Sequence, residues 1–135
     1  MNVVLDTNIL VSALLSPFGT PAQVLNIILA GEAALVYDDR ILAEYGDVLK
    51  RRKFGFDQGL IASLLGYVVH EGLAVSALPV PVSLPDPDDL PFLEVASVAR
   101  ALLVTGNLRH FPPDLCRGVT VLTARDFLTH WQEHH

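Results

Sequence analysis

Val3-Val4-Leu5-Asp6-Thr7-Asn8 is the stretch on which the fold turns. Three apolar residues stop at an aspartate and a threonine, which reads as a short buried strand followed by the start of a helix. In an open parallel sheet, ligands bind beyond the carboxyl ends of the strands. Asp6 therefore stands where such a sheet places its chemistry. The competing assignment is a helix N-cap, where Asp and Thr are both favoured. Asp6 alone does not separate the two.

Working outward, Ser16-Pro17-Phe18-Gly19 breaks the first helix, and Thr20-Pro21 supplies an N-cap and an N1 proline for a second, running to Gly31. Ala34–Tyr37 is a second short strand. Asp38 caps a helix through Lys50, and Asp57 to Gly72 forms another, with Gly72 as its C′ residue. Ala74–Ala77 reads as a third strand. Pro79, Pro81, Pro85, Pro87 and Pro91 then forbid regular structure until about Asp89. A helix from there to Ala101, a strand at Leu102–Thr105, a strand at Val119–Leu122 and a helix capped by Thr123 complete the chain. Short apolar strands alternating with helices imply an α/β fold: a three-layer α/β/α sandwich around a central parallel sheet.

The chain has 135 residues, 51% of them hydrophobic, which is material for one compact domain over residues 1–135. Mean hydropathy is +0.43, yet no run of about 18 uncharged apolar residues exists to span a bilayer. The start of the chain has no basic head and no small-residue cleavage site. Together these predict a cytoplasmic, non-membrane protein. Cys116 is the only cysteine, which excludes an intrachain disulfide framework and a Cys-based zinc site. Fifteen acids against nine bases give a formal net charge of −6. That argues against nonspecific coating of nucleic acid through a basic surface. It leaves metal-dependent nucleases open, because these concentrate carboxylates whose bound cations face the phosphate.

Where the acids sit is therefore the useful question. On the Asp38–Lys50 helix, Ile41, Leu42, Tyr45, Val48 and Leu49 form one apolar stripe. Glu44 borders that stripe, where a carboxylate is uncommon unless paired or metal-bound; the alternative is a half-buried salt bridge to an arginine. Asp89 precedes Phe92 and Leu93 by three and four residues and projects from the inward face of its helix, whereas Glu94 falls on the opposite, solvated side. Asp86 and Asp88 lie in the preceding turn, where capping roles compete with a functional one. Two carboxylates about 5 Å apart repel by roughly 3 kcal/mol at an effective dielectric near 20, so such a cluster needs raised pKa values or a cation. Carboxylate oxygens, with no histidine or cysteine at ligand spacing, point to Mg²⁺ or Mn²⁺ and to metal-assisted phosphodiester hydrolysis. Thr105 and Asn107, at another strand's carboxyl end, can orient water or phosphate, and Arg109 can contact a nucleic-acid backbone.

With these residues in place, the chain resembles the PIN-domain ribonucleases, particularly the toxins of VapC-like type II toxin–antitoxin systems. Val3–Asn8 is similar to the family's opening strand and first acid. Glu44 matches its second acid, Asp86–Glu94 the segment bearing the third, placed at Asp89, and Thr105–Phe111 the closing motif. The resemblance implies a PIN-like fold and Asp6, Glu44 and Asp89 as catalytic metal ligands for Mg or Mn. It implies Asn107 as a neutral catalytic group, with Asn8, Asp86 and Thr105 in support. Many members carry a fourth acid in the closing motif, at the position of Asn107 or of His110. Its absence here puts one fixed ion ahead of two. The implied substrate is single-stranded or structured RNA, and the implied partners are a small protein antitoxin and a second copy in a homodimer.

Arg51, Arg52 and Lys53, with Lys50, read either as an RNA-contacting patch or as a solvated helix end suited to the macrodipole. Leu60–Val69 fits a partner surface or the core. His130 and His134 have zinc-like spacing but read as a frayed polar end, and His70 and Cys116 read as structural. A receiver-type phosphoacceptor is disfavoured, since no lysine follows Lys53. So is a haloacid-dehalogenase-type phosphatase, since Asn8 stands where a second aspartate is needed. A catalytically weak PIN-like module that binds RNA or protein is the remaining alternative, kept open by the neutral Asn107.

Overall fold

A computed structural model describes residues 1–135. The elements run β1 (Asn2–Leu5), α1 (Thr7–Leu15), α2 (Thr20–Leu29), β2 (Ala34–Tyr37), α3 (Asp39–Leu49), α4 (Gln58–Glu71), β3 (Leu73–Ala74), α5 (Leu90–Ala99), β4 (Leu102–Val104), β5 (Val121–Leu122) and α6 (Ala124–Glu133). The strands form one parallel sheet in the order β3-β2-β1-β4-β5. Helices flank it: α2 packs on α1 and α6, α3 on α4 and α5, and α1 also meets α3. This is the expected α/β sandwich.

Val3, Val4 and Leu5 have no solvent exposure, as befits a central parallel strand covered on both faces. The chain leaves β1 to build β2 and β3 on one side and returns to build β4 and β5 on the other. Strand order therefore reverses between β1 and β4, which opens a crevice above their carboxyl ends. Leu5 pairs in register with Val104, and the Asp6 amide donates to the Val104 carbonyl at 2.9 Å. Asp6 and Thr105 thereby become neighbours at the mouth of the crevice.

Several helix ends follow directly from the sequence. Asp38 accepts from the Ile41 amide at 3.0 Å, Asp57 from Gly59 at 2.9 Å and Thr123 from Asp126 at 3.1 Å, each filling an orphan donor of the first turn. Others differ from expectation. Gly19 caps α2 and Thr20 is its first residue. The third strand is Leu73–Ala74, not Ala74–Ala77: its partner β2 ends at Tyr37, whose carbonyl takes the Val75 amide as the chain turns into α3. The last strand is confined to Val121–Leu122. Arg100, in the left-handed region at φ 51°, closes α5 as Ala101 N–H returns to the Ala96 carbonyl. Gly72 follows α4 in extended backbone. It is glycine because a Cβ there would stand 2.4 Å from the Val68 carbonyl oxygen and 2.9 Å from the Tyr37 ring.

Glu94 is the clearest departure. It is buried on α5, with Phe92, Leu93, Val95 and Ala96 around it, instead of facing solvent. Arg40 at the start of α3 reaches Glu94 and Asp38, each at 2.7 Å, and the Val80 amide donates to Glu94 Oε2 at 2.9 Å. One guanidinium thus ties α3 to α5, and the same carboxylate pins the proline-rich connection. No single helix is long and apolar enough to cross a membrane.

Candidate metal centre

The crevice is built around Asp6, which is 5% exposed. Asp6 occupies the N-cap position of α1, but its carboxylate caps nothing. Instead Thr105 Oγ1 donates to Asp6 Oδ2 at 2.8 Å, and Asn8 Nδ2 approaches the same oxygen at 3.3 Å. Asn8 Oδ1 in turn accepts from the Gly106 amide at 3.0 Å, and Thr105 Oγ1 from the Asn107 amide at 3.1 Å. The ends of β1 and β4 are thus laced together by Asn8 and Thr105, which fix the orientation of Asp6.

Glu44 comes from the middle of α3 and receives the Thr7 hydroxyl on Oε2. No arginine pairs with it; Arg51 acts on it only at longer range. Tyr45, the next residue, is fully buried, and its hydroxyl donates to the Leu5 carbonyl at 2.6 Å. That bond holds the Glu44 turn of α3 against the end of β1. In sequence Tyr45 is an aromatic in an apolar stripe, which reveals burial but not the reach of its hydroxyl.

Asp89 lies at the end of a short 3₁₀ turn, Pro87–Asp89, that leads into α5. The turn is initiated by Asp86, whose Oδ1 accepts from the Asp88 amide at 2.9 Å. Asp89 Oδ2 is buried with no hydrogen-bond donor in line, although His110 Nδ1 stands 2.8 Å away. On its other side His110 Nε2 lies 2.9 Å from the Asn107 side-chain nitrogen. An amide donating there makes Nε2 the acceptor and leaves the ring proton on Nδ1, facing Asp89. Oxygens of Asp86 and Asp89 and a ring nitrogen of His110 all lie within 4.8 Å of one another. A histidine therefore does join the acids, contrary to the sequence expectation. It arrives from the turn after β4, and linear ligand spacing carries no trace of it.

Electrostatically the acids form one group. Burial raises Asp89 to about 6, helped by Asp6 and Asp86 and opposed by His110. Burial also raises Asp6, against the Thr105 hydrogen bond. Glu44 is raised by burial, with Asp6 and Asp88 adding to it and Thr7 and Arg51 opposing. Desolvated carboxylates that repel one another, with only a misaligned imidazole beside the buried Asp89 oxygen, suit a hard divalent cation. Arg109 is exposed at the rim, and Arg51, Arg52 and Lys53 lie beyond the end of α3. The His130 and His134 rings lie 4.2 Å apart, tilted by 32°, at the C-terminal end of α6, far along the chain from this group.

The fold and its crevice define an α/β protein with carboxylates collected at a topological switch point. The PIN domain family model matches residues 2–109, and the chain belongs to the PIN-domain family. Protein MJ1680 of Methanocaldococcus jannaschii is 28% identical over 110 residues, covering 79% of this chain and 71% of its own. Among solved structures, VapBC2 of Rickettsia felis, bound to a DNA fragment from its promoter, superposes with a TM-score of 0.60 at 20% identity, covering 91% of this chain and 98% of the other. FitAcB of Neisseria gonorrhoeae gives a TM-score of 0.55 at 15% identity, with 91% and 98% covered. These likenesses establish a shared fold.

Proposed function

We propose that this chain, one PIN domain over residues 1–135, is a metal-dependent endoribonuclease and the toxin of a cytoplasmic toxin–antitoxin pair. The observation that carries this reading is the group of desolvated carboxylates at the switch point, with Asp89 Oδ2 buried beside His110 Nδ1 but without an aligned hydrogen bond. Asp6, Glu44 and Asp89 would hold Mg²⁺ or Mn²⁺, with Asp86 and His110 adjoining. Such an ion, when bound, offsets phosphate charge and activates water for phosphodiester hydrolysis.

The chain's own residues prepare that site. Thr105 and Asn8 orient Asp6, Thr7 orients Glu44, and Tyr45 fixes the helix that bears Glu44. Asn107 is neutral and acts through His110, directing its Nδ1 proton toward Asp89. Arg109 is placed to meet the RNA backbone. VapBC2 of Rickettsia felis is bound to promoter DNA in its structure; by analogy with toxin–antitoxin assemblies of that kind, the partners here are a small antitoxin protein and a second copy of the chain.

The commitment of the Asn107 amide to His110 favours a second reading. With no acid at that position, the crevice would bind RNA or protein with weak catalysis. Purified protein incubated with mixed RNA and Mn²⁺ or Mg²⁺, beside EDTA and Asp6→Asn controls, decides between them. Cleavage that requires metal and Asp6 supports the nuclease. Retention of RNA without cleavage supports the binding module.

A further inference from the structure

We propose that the segment Lys50–Phe56, just beyond α3, is a landing surface for unpaired RNA, with Phe54 as a base-stacking platform. The inference rests on the ribonuclease reading and narrows its substrate to single strands. Four of the nine basic residues of this acidic chain are consecutive here, Lys50-Arg51-Arg52-Lys53. Arg51 pairs with Asp47 at 3.1 Å; Lys50, Arg52 and Lys53 have no carboxylate within 4.0 Å. The helix macrodipole accounts for cations in the last turn. It does not account for Arg52 and Lys53, which lie past the helix in the 3₁₀ turn Arg52–Phe54.

The aromatic residues add what a solvated helix end lacks. Phe54 and Phe56 stack with centroids 5.5 Å apart and planes 12° from parallel, and the Lys53 ammonium lies 5.1 Å from the Phe54 centroid. Both rings are half-buried; Phe56 packs against the hydrophobic core, whereas Phe54 does not. Gly55 makes the sharp return between them in left-handed backbone at φ 64°. Phe54 is thus an aromatic ring fixed in place by its neighbour and flanked by free cations. That combination recognises single-stranded nucleic acid, because a base must leave its helix before it can lie on a ring. The segment follows directly on the helix that carries Glu44: Glu44 lies about 8 Å before the end of α3 at Leu49 at 1.5 Å per residue, and Arg51 acts on its carboxylate. A polyanion drawn to a chain of net charge −6 needs such a local anchor beside the acids.

The test is binding in EDTA at low salt, which makes it independent of cleavage. The probes are a fluorescently labelled single-stranded oligoribonucleotide of mixed sequence and the same strand in duplex. Wild-type protein binds the single strand at least tenfold more tightly than the duplex. Phe54→Leu loses about tenfold for the single strand and nothing for the duplex, while Phe54→Tyr keeps wild-type affinity. The double variant Arg52→Gln, Lys53→Gln weakens both and flattens the salt dependence. Unchanged single-strand affinity in Phe54→Leu, equal affinity for duplex, or binding only of an acidic peptide would each overturn the proposal. Metal-dependent cleavage that persists alongside such a result leaves the nuclease reading intact. Stacking without any cleavage in metal removes the nuclease reading and leaves this surface.

Discussion

The Tyr45 hydroxyl hydrogen-bonds at 2.6 Å to the carbonyl of Leu5, the residue immediately before Asp6. One buried phenol thereby locks the helix that carries Glu44 to the strand that ends in Asp6. Both partners are fully buried, so removing the donor strands a carbonyl away from water. Tyr45→Phe is expected to cost about 1–2 kcal/mol in urea unfolding. It should also reduce the rise in Tm produced by millimolar Mn²⁺, because Glu44 is no longer held in place.

Carboxylates that repel one another destabilise the fold that gathers them. Asp6→Asn keeps an acceptor for the Thr105 hydroxyl while deleting a buried charge. The metal-free variant should melt higher than wild type, by about 1 kcal/mol, and show no further rise with Mn²⁺. Ligands that bind only the folded state raise Tm, so a wild-type curve indifferent to Mn²⁺ would count against the centre itself.

Acid should stabilise the metal-free protein within a defined window. Burial beside Asp6 and Asp86 lifts Asp89 from an ordinary 3.8 to about 6, with His110 opposing. Between those values the folded protein holds a proton that the unfolded chain has released. Stability from this group is therefore present at low pH and lost as pH rises through 6. Asp6 and Glu44, also raised, act in the same direction. Melting in EDTA from pH 4.5 to 7.5 should show the fall, and Asp89→Asn should flatten it. Saturating Mn²⁺, which binds the ionised form, should reverse the trend.

Arg40 and Glu94 give a stability test away from the crevice. Arg40→Ala leaves the buried Glu94 carboxylate with only the Val80 amide and should cost about 2 kcal/mol, discounted because Arg40 is itself half-exposed. Glu94→Gln still accepts from Val80 and should cost less. Limited proteolysis gives a second readout: the connection around Val80 should be cut faster in Arg40→Ala than in wild type.

Much of this architecture is readable from residue order because its signals are local. The Val3–Leu5 run, the caps at Asp38, Asp57 and Thr123, and the stripe beside Glu44 each depend on a few neighbours in sequence. What escapes such reading depends on distant segments. Helical periodicity assigns Glu94 to solvent, yet α5 is covered on that side too, by Arg40 and the proline-rich connection. His110 meets Asp89 only because a turn after β4 folds over a turn before α5. Tyr45 announces its burial but not its bond to Leu5, since an apolar stripe says nothing of where a hydroxyl ends.

The link between Asp6 and Thr105 joins positions 99 residues apart, and it governs when the pocket can exist. A ribosome makes the first acid long before its anchoring hydroxyl and the imidazole beside Asp89 emerge. A chain that stops before Thr105 lacks the hydroxyl that orients Asp6, and one that stops before His110 lacks the imidazole beside Asp89. The pocket is thus a property of the nearly complete chain and of no shorter N-terminal piece of it.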